Sequence, residues 1–120
     1  MLLQNKIEKI KEGILGKKYS LSVGFADEKR SQEINKKYRR KDRPTNVLSF
    51  ALREGQGELV FCKKVIQREA KELGKKYEDW LFFLVIHGLL HLKGYDHGKE
   101  MEKAEEIYSK KYLSRTKLIK

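Results

Sequence analysis

From Trp80 to Leu92 (WLFFLVIHGLLHL) thirteen residues run without a charged side chain, and their only polar groups are two histidines. At helical spacing such a segment is apolar nearly all round, so it belongs at the centre of a fold rather than on its surface. It is well short of the roughly twenty residues that cross a bilayer, so no membrane span is expected. The first ten residues, MLLQNKIEKI, hold an apolar run too short for a secretory leader. With 120 residues and 39% hydrophobic content, one domain over residues 1–120 is expected to wrap this helix. Lys+Arg number 28 against 17 Asp+Glu, a net charge of +11, which disfavours cationic ligands and favours a polyanionic partner, nucleic acid first. The single cysteine, Cys62, excludes an internal disulfide and fits a reducing compartment, so the cytoplasm is expected, with no disulfide-linked partner.

Periodicity supplies the elements around that helix. Residues 5–14 place Ile7, Ile10 and Ile14 on one helical face. Tyr19 to Phe25 alternates like a half-buried strand. Asp27 can cap a helix running to about Tyr38, with Ile34 and Tyr38 as its apolar stripe. Asn46 to Leu52 and Glu58 to Cys62 read as two further strands joined through the Gly-containing loop Arg53 to Gly57. Lys63 to Leu73 reads as a helix stopped by Gly74. Glu78 to about Leu92 is the buried helix, and Lys99 to Leu113 a last amphipathic one through Met101, Ala104 and Tyr108. The class is α+β: a small mixed β-sheet packed against helices, with a central buried helix that carries the metal ligands argued next.

All three histidines fall between His87 and His97 (HGLLHLKGYDH). His87 and His91, at i and i+4, project from one face of the central helix. Gly94 can take the left-handed conformation that ends a helix and turns the chain back, which would bring His97 round to the other two. A lone histidine on an apolar helix is ordinarily a hydrogen-bonded core residue. Two on one buried face and a third after a helix-stopping glycine are not, since unpartnered imidazoles are costly to bury. Three convergent imidazoles leave a fourth position open, as at a catalytic rather than a structural zinc, and one Zn²⁺ per chain is expected. The spacing H-x3-H-x2-G-x2-H is that of the metzincin proteases, yet Gly88 stands where those enzymes carry the glutamate that acts as general base. A peptidase of that mechanism is therefore disfavoured. Three neutral ligands also leave the ion's charge uncompensated, which favours an anionic substrate such as a phosphodiester.

A basic run, Lys36, Lys37, Tyr38, Arg39, Arg40, Lys41, Asp42, Arg43, leads through Pro44 and Thr45 into a strand. Charge runs are ordinarily solvated surface. This one is anchored at both ends, so Lys36, Lys37, Arg40, Lys41 and Arg43 are candidates for phosphate contacts. Asp96, beside His97, is either an acceptor that orients a ligand imidazole or a turn residue. Lys110, Lys111, Arg115, Lys117 and Lys120 make the C-terminal end basic, as a solvated tail. Cys62 and Met101 read as core.

His87 to His97 resembles the signature of the YbeY-type endoribonucleases. Ile34 to Asp42 followed by Pro44 to Phe50 (PTNVLSF) resembles a second motif of that family, and Gly57 to Cys62 a third. The three occur in family order across roughly residues 26–112. The chain departs from the pattern at Ala51, where proline is usual, at Glu58, where aspartate is usual, and at Ser31, where an apolar residue is expected. The Arg53 to Gly57 loop is short, and the N-terminus lacks a match to the family's first strand, so the sheet is expected to be one strand smaller. The resemblance implies a small sheet packed on helices, zinc on His87, His91 and His97, and Arg39 as a functional arginine in the cleft. The implied activity is hydrolysis of single-stranded RNA, in 16S ribosomal RNA 3′-end maturation and ribosome quality control, with the small ribosomal subunit as partner. It places no general base; Glu54 and Glu58 are the candidates. The rival readings are a metal-dependent hydrolase of another substrate and a non-enzymatic ribosome-assembly factor whose metal is structural.

Overall fold

The computed structural model describes residues 2–113. Along the chain run α1 (Leu2–Leu15), β1 (Ser20–Phe25), α2 (Glu28–Arg39), β2 (Val47–Arg53), β3 (Gln56–Phe61), α3 (Lys63–Leu73), α4 (Tyr77–Lys93) and α5 (Lys99–Leu113). The α+β class and the mixed sheet are as expected. The three strands lie in the order β1-β3-β2, with β1 parallel and β2 antiparallel to β3. The expected element positions hold to within about three residues. The largest differences are at α1, which starts three residues early, and at β3, which takes Gln56 and Gly57 from the hairpin loop.

The helix ends follow from local chemistry. Asp27 accepts a hydrogen bond from the Arg30 amide at 2.8 Å and so caps α2, satisfying one of the orphan donors of its first turn. Gly74 ends α3 in the left-handed region at φ 69°. Cys62 is fully buried at the start of α3, as expected of a small core residue.

Helix α4 sits at the centre: α1, α3, α5, β2 and β3 all pack on it. Ile7, Ile10 and Ile14 of α1, Leu59 and Phe61 of β3, Val47 of β2 and Met101 and Ala104 of α5 close over Leu81, Val85, Ile86, Leu89 and Leu90. Val47, Ser49, Leu59 and Phe61 share one face of the sheet through the register Val47↔Phe61 and Ser49↔Leu59, and that face meets α4. Where α4 crosses the sheet, a Cβ on Gly88 would stand 2.8 Å from Leu59 Cδ2 and 3.2 Å from Ser49 Oγ. A side chain there would require Leu59 and Ser49 to shift, and with glycine in place Ser49 Oγ donates to the Gly88 carbonyl at 3.2 Å.

The expected apolar stripe of α2, Ile34 and Tyr38, needs correction: Ile34 is only half-buried. The buried residues of the helix are Ser31 and Asn35, whereas Tyr38 is 60% exposed. The reason is polar: Ser31 Oγ donates to the Thr45 carbonyl and accepts from the Thr45 amide, and Asn35 Nδ2 donates to the Arg43 carbonyl. These bonds satisfy loop backbone groups that would otherwise be stranded, so the helix face holds a loop rather than an apolar core. The serine that departs from the family pattern thus ties the basic loop 40–46 to α2.

Candidate active site

His87 and His91 stand one turn apart on α4 with ring centroids 4.6 Å apart. Gly94 then adopts φ 115°, its amide reaches the His91 and Leu90 carbonyls, and the Tyr95 amide returns to the Leu90 carbonyl at 3.0 Å. That closure reverses the chain and brings the His97 ring to 5.6 Å from His87 and 4.8 Å from His91. One nitrogen from each of the three rings lies within 4.8 Å of the others. Convergent neutral imidazoles with room for a further ligand fit a divalent transition metal.

Two of the rings are held from behind. His87 Nδ1–H donates to Glu105 Oε2 at 2.6 Å, with both side chains largely buried at 21% and 15% exposure. His91 Nδ1–H donates to the Tyr95 carbonyl at 3.1 Å. Each bond fixes the tautomer that leaves Nε2 free to face the common centre. For these two rings the orienting acceptor is a residue other than Asp96. Asp96 is exposed on the turn, and the acceptors behind His87 and His91 are a glutamate from α5 and a backbone carbonyl. Burial, then the adjacent His87 ring, holds the His91 imidazole below the usual histidine range. The Tyr95 carbonyl opposes this, while His97 and Arg39 add to it. A ring held neutral is a ring available as a ligand.

The histidines open onto a cleft of about 690 Å³ that runs past β2, one of the two edge strands of the sheet. Tyr38, Arg39, Lys41 and Thr45 line one side, residues Asn46 to Ala51 the floor, and His87, His91, Leu92 and His97 the other side. Of the predicted basic candidates, Arg39 and Lys41 reach the cleft. Lys36, Lys37, Arg40 and Arg43 do not line it. Lys36 lies 4.0 Å from Asp42, and Arg40 forms the left-handed cap that turns the chain out of α2. Glu54 lies in the hairpin turn and Glu58 in the middle strand, paired with Ser22 and Phe50, and neither general-base candidate is among the residues that line the cleft. Among the described residues the cleft lining carries no carboxylate. Gly88, packed against Leu59 and Ser49, leaves no space for one. Of the basic C-terminal residues, Arg115, Lys117 and Lys120 lie outside the described residues.

Sequence reasoning missed Glu105 and the exposure of Tyr38. Glu105 was detectable in principle: it lies four residues after Met101 and one after Ala104, both buried, so an acid sits at the margin of a face that packs on α4.

Comparison with known proteins points to one family. The model of the family described as endoribonuclease YbeY matches residues 2–117. A protein named endoribonuclease YbeY from Lactobacillus helveticus is 42% identical over 73% of this chain and 60% of its own length. One from Staphylococcus carnosus is 41% identical over 82% of this chain and 69% of its own. The chain thus spans about 60% of the length of the first curated relatives it matches. A solution structure of a Thermotoga maritima protein superposes with a TM-score of 0.68 at 32% identity, covering 97% of this chain and 82% of that one.

Proposed function

The chain belongs to the endoribonuclease YbeY family, and from that premise we propose that it is a zinc-dependent endoribonuclease that cuts single-stranded RNA. Its place in the cell would be ribosomal RNA processing in the cytoplasm, at the 3′ end of 16S RNA and in quality control on the small subunit. The observation that carries the reading is the convergence of His87, His91 and His97 in a cleft whose charged residues, Arg39 and Lys41, are all cationic. No described helix is long and apolar enough to cross a membrane.

Zinc held by His87, His91 and His97 would supply a Lewis acid and an acidified water to a phosphodiester. The chain's own groups do the rest. Glu105 and the Tyr95 carbonyl hold two ligand rings in their productive tautomer. Arg39, which lines the same cleft as the triad, meets phosphate oxygens with a planar fork as negative charge grows on them. Lys41 anchors a neighbouring phosphate as a point charge, with Lys36, Lys37, Arg40 and Arg43 adding to the field that draws the strand in. With no carboxylate in the lining, proton removal from water would rely on the ion and bulk base rather than on a positioned side chain.

The test is metal-quantified protein incubated with unstructured RNA, with and without chelator, beside His91→Ala. We expect one zinc per chain in the wild type, none in the variant, and cleavage that stops on chelation and returns with zinc. Equal metal in both proteins, or cleavage indifferent to chelator, overturns the reading. A protein that holds its ion but leaves RNA intact favours a structural metal in an assembly factor.

A further inference from the structure

One aromatic ring of the cleft lining stands open to solvent. Tyr38 is 60% exposed although it sits on the last turn of a helix next to a strand rich in apolar residues. It meets Phe50 edge-on, ring centroids 5.3 Å apart at 73°, and Phe50 itself is half-buried in the cleft floor. Lys37 Nζ lies 5.3 Å from the Tyr38 ring, and the next residue, Arg39, lines the same cleft as the three histidines. A ring left this exposed gains little from burial where it stands. Its surroundings are those of a single-strand binding surface: an aromatic platform, cations on both sides in sequence, and a cleft that would take the backbone.

We infer that Tyr38, braced by Phe50, is a stacking platform for one unpaired nucleobase of an RNA whose adjoining phosphate lies at Arg39 and the histidine triad. This rests on the nuclease reading and adds to it a source of single-strand preference. A base in a duplex is stacked on its neighbours and cannot lie on Tyr38, whereas one in a loop or end can. Stacking needs only a π-face, so the subsite would hold any of the four bases, with purines favoured by their larger area.

The experiment is a two-way cycle. Zinc-loaded wild type, Tyr38→Ala and Tyr38→Trp are titrated with an unstructured eight-nucleotide RNA and with a set in which one base at a time is removed, leaving the backbone intact. In wild type, removal of the base at one position should weaken binding by between about 5- and 150-fold, the range expected for one stacked base at about 1–3 kcal/mol. Tyr38→Ala should lose the same factor on intact RNA and nothing more on the abasic strand. Tyr38→Trp should keep affinity, and its added indole fluorescence should be quenched by the intact strand and not by the abasic one. Equal losses by Tyr38→Ala on intact and abasic strands, or unchanged affinity in that variant, overturn the platform. Cleavage is scored in the same samples, so the two ideas separate. Cleavage without the base-dependent signature sinks the platform alone, and the signature without cleavage sinks the nuclease reading alone. Absence of any RNA binding sinks both.

Discussion

Glu105 offers the most direct check on how the triad is held. Replacing it with alanine removes a carboxylate 2.6 Å from His87 Nδ1 in a pocket where both side chains are largely shielded from water. Two effects follow. The ring loses the acceptor that sets its tautomer and orientation, a change that typically weakens metal binding about 10–100-fold, or about 1.4–2.7 kcal/mol. The freed N–H is also left without a partner, at about 1–3 kcal/mol in the metal-free protein. For 120 residues the unfolding entropy is about 250 cal/mol/K, so this lowers the midpoint of the chelated protein by about 4–12 °C. Glu105→Gln keeps an acceptor in place and loses only its charge, so it should fall between wild type and alanine on both readouts. Asp96→Ala, on the exposed turn, should change neither by more than about twofold. The assay is competition of zinc against a chelator of known affinity, with thermal melts of metal-free protein and the absorption spectrum of the cobalt form as a check on ligand geometry. If Glu105→Ala binds zinc like wild type, or if Asp96→Ala loses as much, the assignment of the supporting acceptor is wrong.

Three further outcomes are expected. Arg39→Lys keeps the charge and loses the fork, so single-turnover cleavage at saturating RNA should fall about 10²–10³-fold with affinity little changed; a fall only in step with affinity would make Arg39 another phosphate anchor. Gly88→Ala gains about 1 kcal/mol of helix propensity but incurs about 1–3 kcal/mol of overpacking against Leu59 and Ser49, so the melting point should stay level or drop, and a rise would show that the contact yields. Because the His91 imidazole is held below its ordinary value of 6.5, the unfolded chain binds the extra proton. Stability of the metal-free protein is then fully present above pH 6.5 and lost as pH falls through the folded value, at up to about 1.4 kcal/mol per pH unit. His91→Asn should remove that component from urea titrations at pH 7.5 and 5.5, and an identical pH dependence in the variant would refute it.

What could be read from the sequence was local. The triad is specified within eleven residues by helical spacing and one glycine, so its geometry follows from backbone rules alone. The helix caps at Asp27 and Gly74 and the hairpin between β2 and β3 are local in the same sense. Glu105 and Tyr38 escaped because their roles depend on packing between segments distant in sequence. The first depends on where α5 docks on α4, eighteen residues after His87, and the second on the polar bonds that turn α2 toward loop 40–46. A helix whose buried positions are Ser31 and Asn35 has no hydrophobic signal to read. Its orientation is set by backbone groups of a loop that lacks regular structure of its own.

The position after the first histidine links the fold to the chemistry most closely. In a peptidase with this ligand spacing a glutamate there faces the metal and takes the proton from water. Here the residue faces the sheet instead, at the point where α4 lies closest to β2 and β3, and its carbonyl receives Ser49. A glutamate at position 88 would have to enter the space of Leu59, which is fully buried. Tight packing at one glycine therefore removes the peptidase base, while Glu105, the one carboxylate seen to touch the triad among the described residues, is committed to orienting a ring. The charge left in the cleft is all positive, and that charge favours an anionic backbone over a neutral amide.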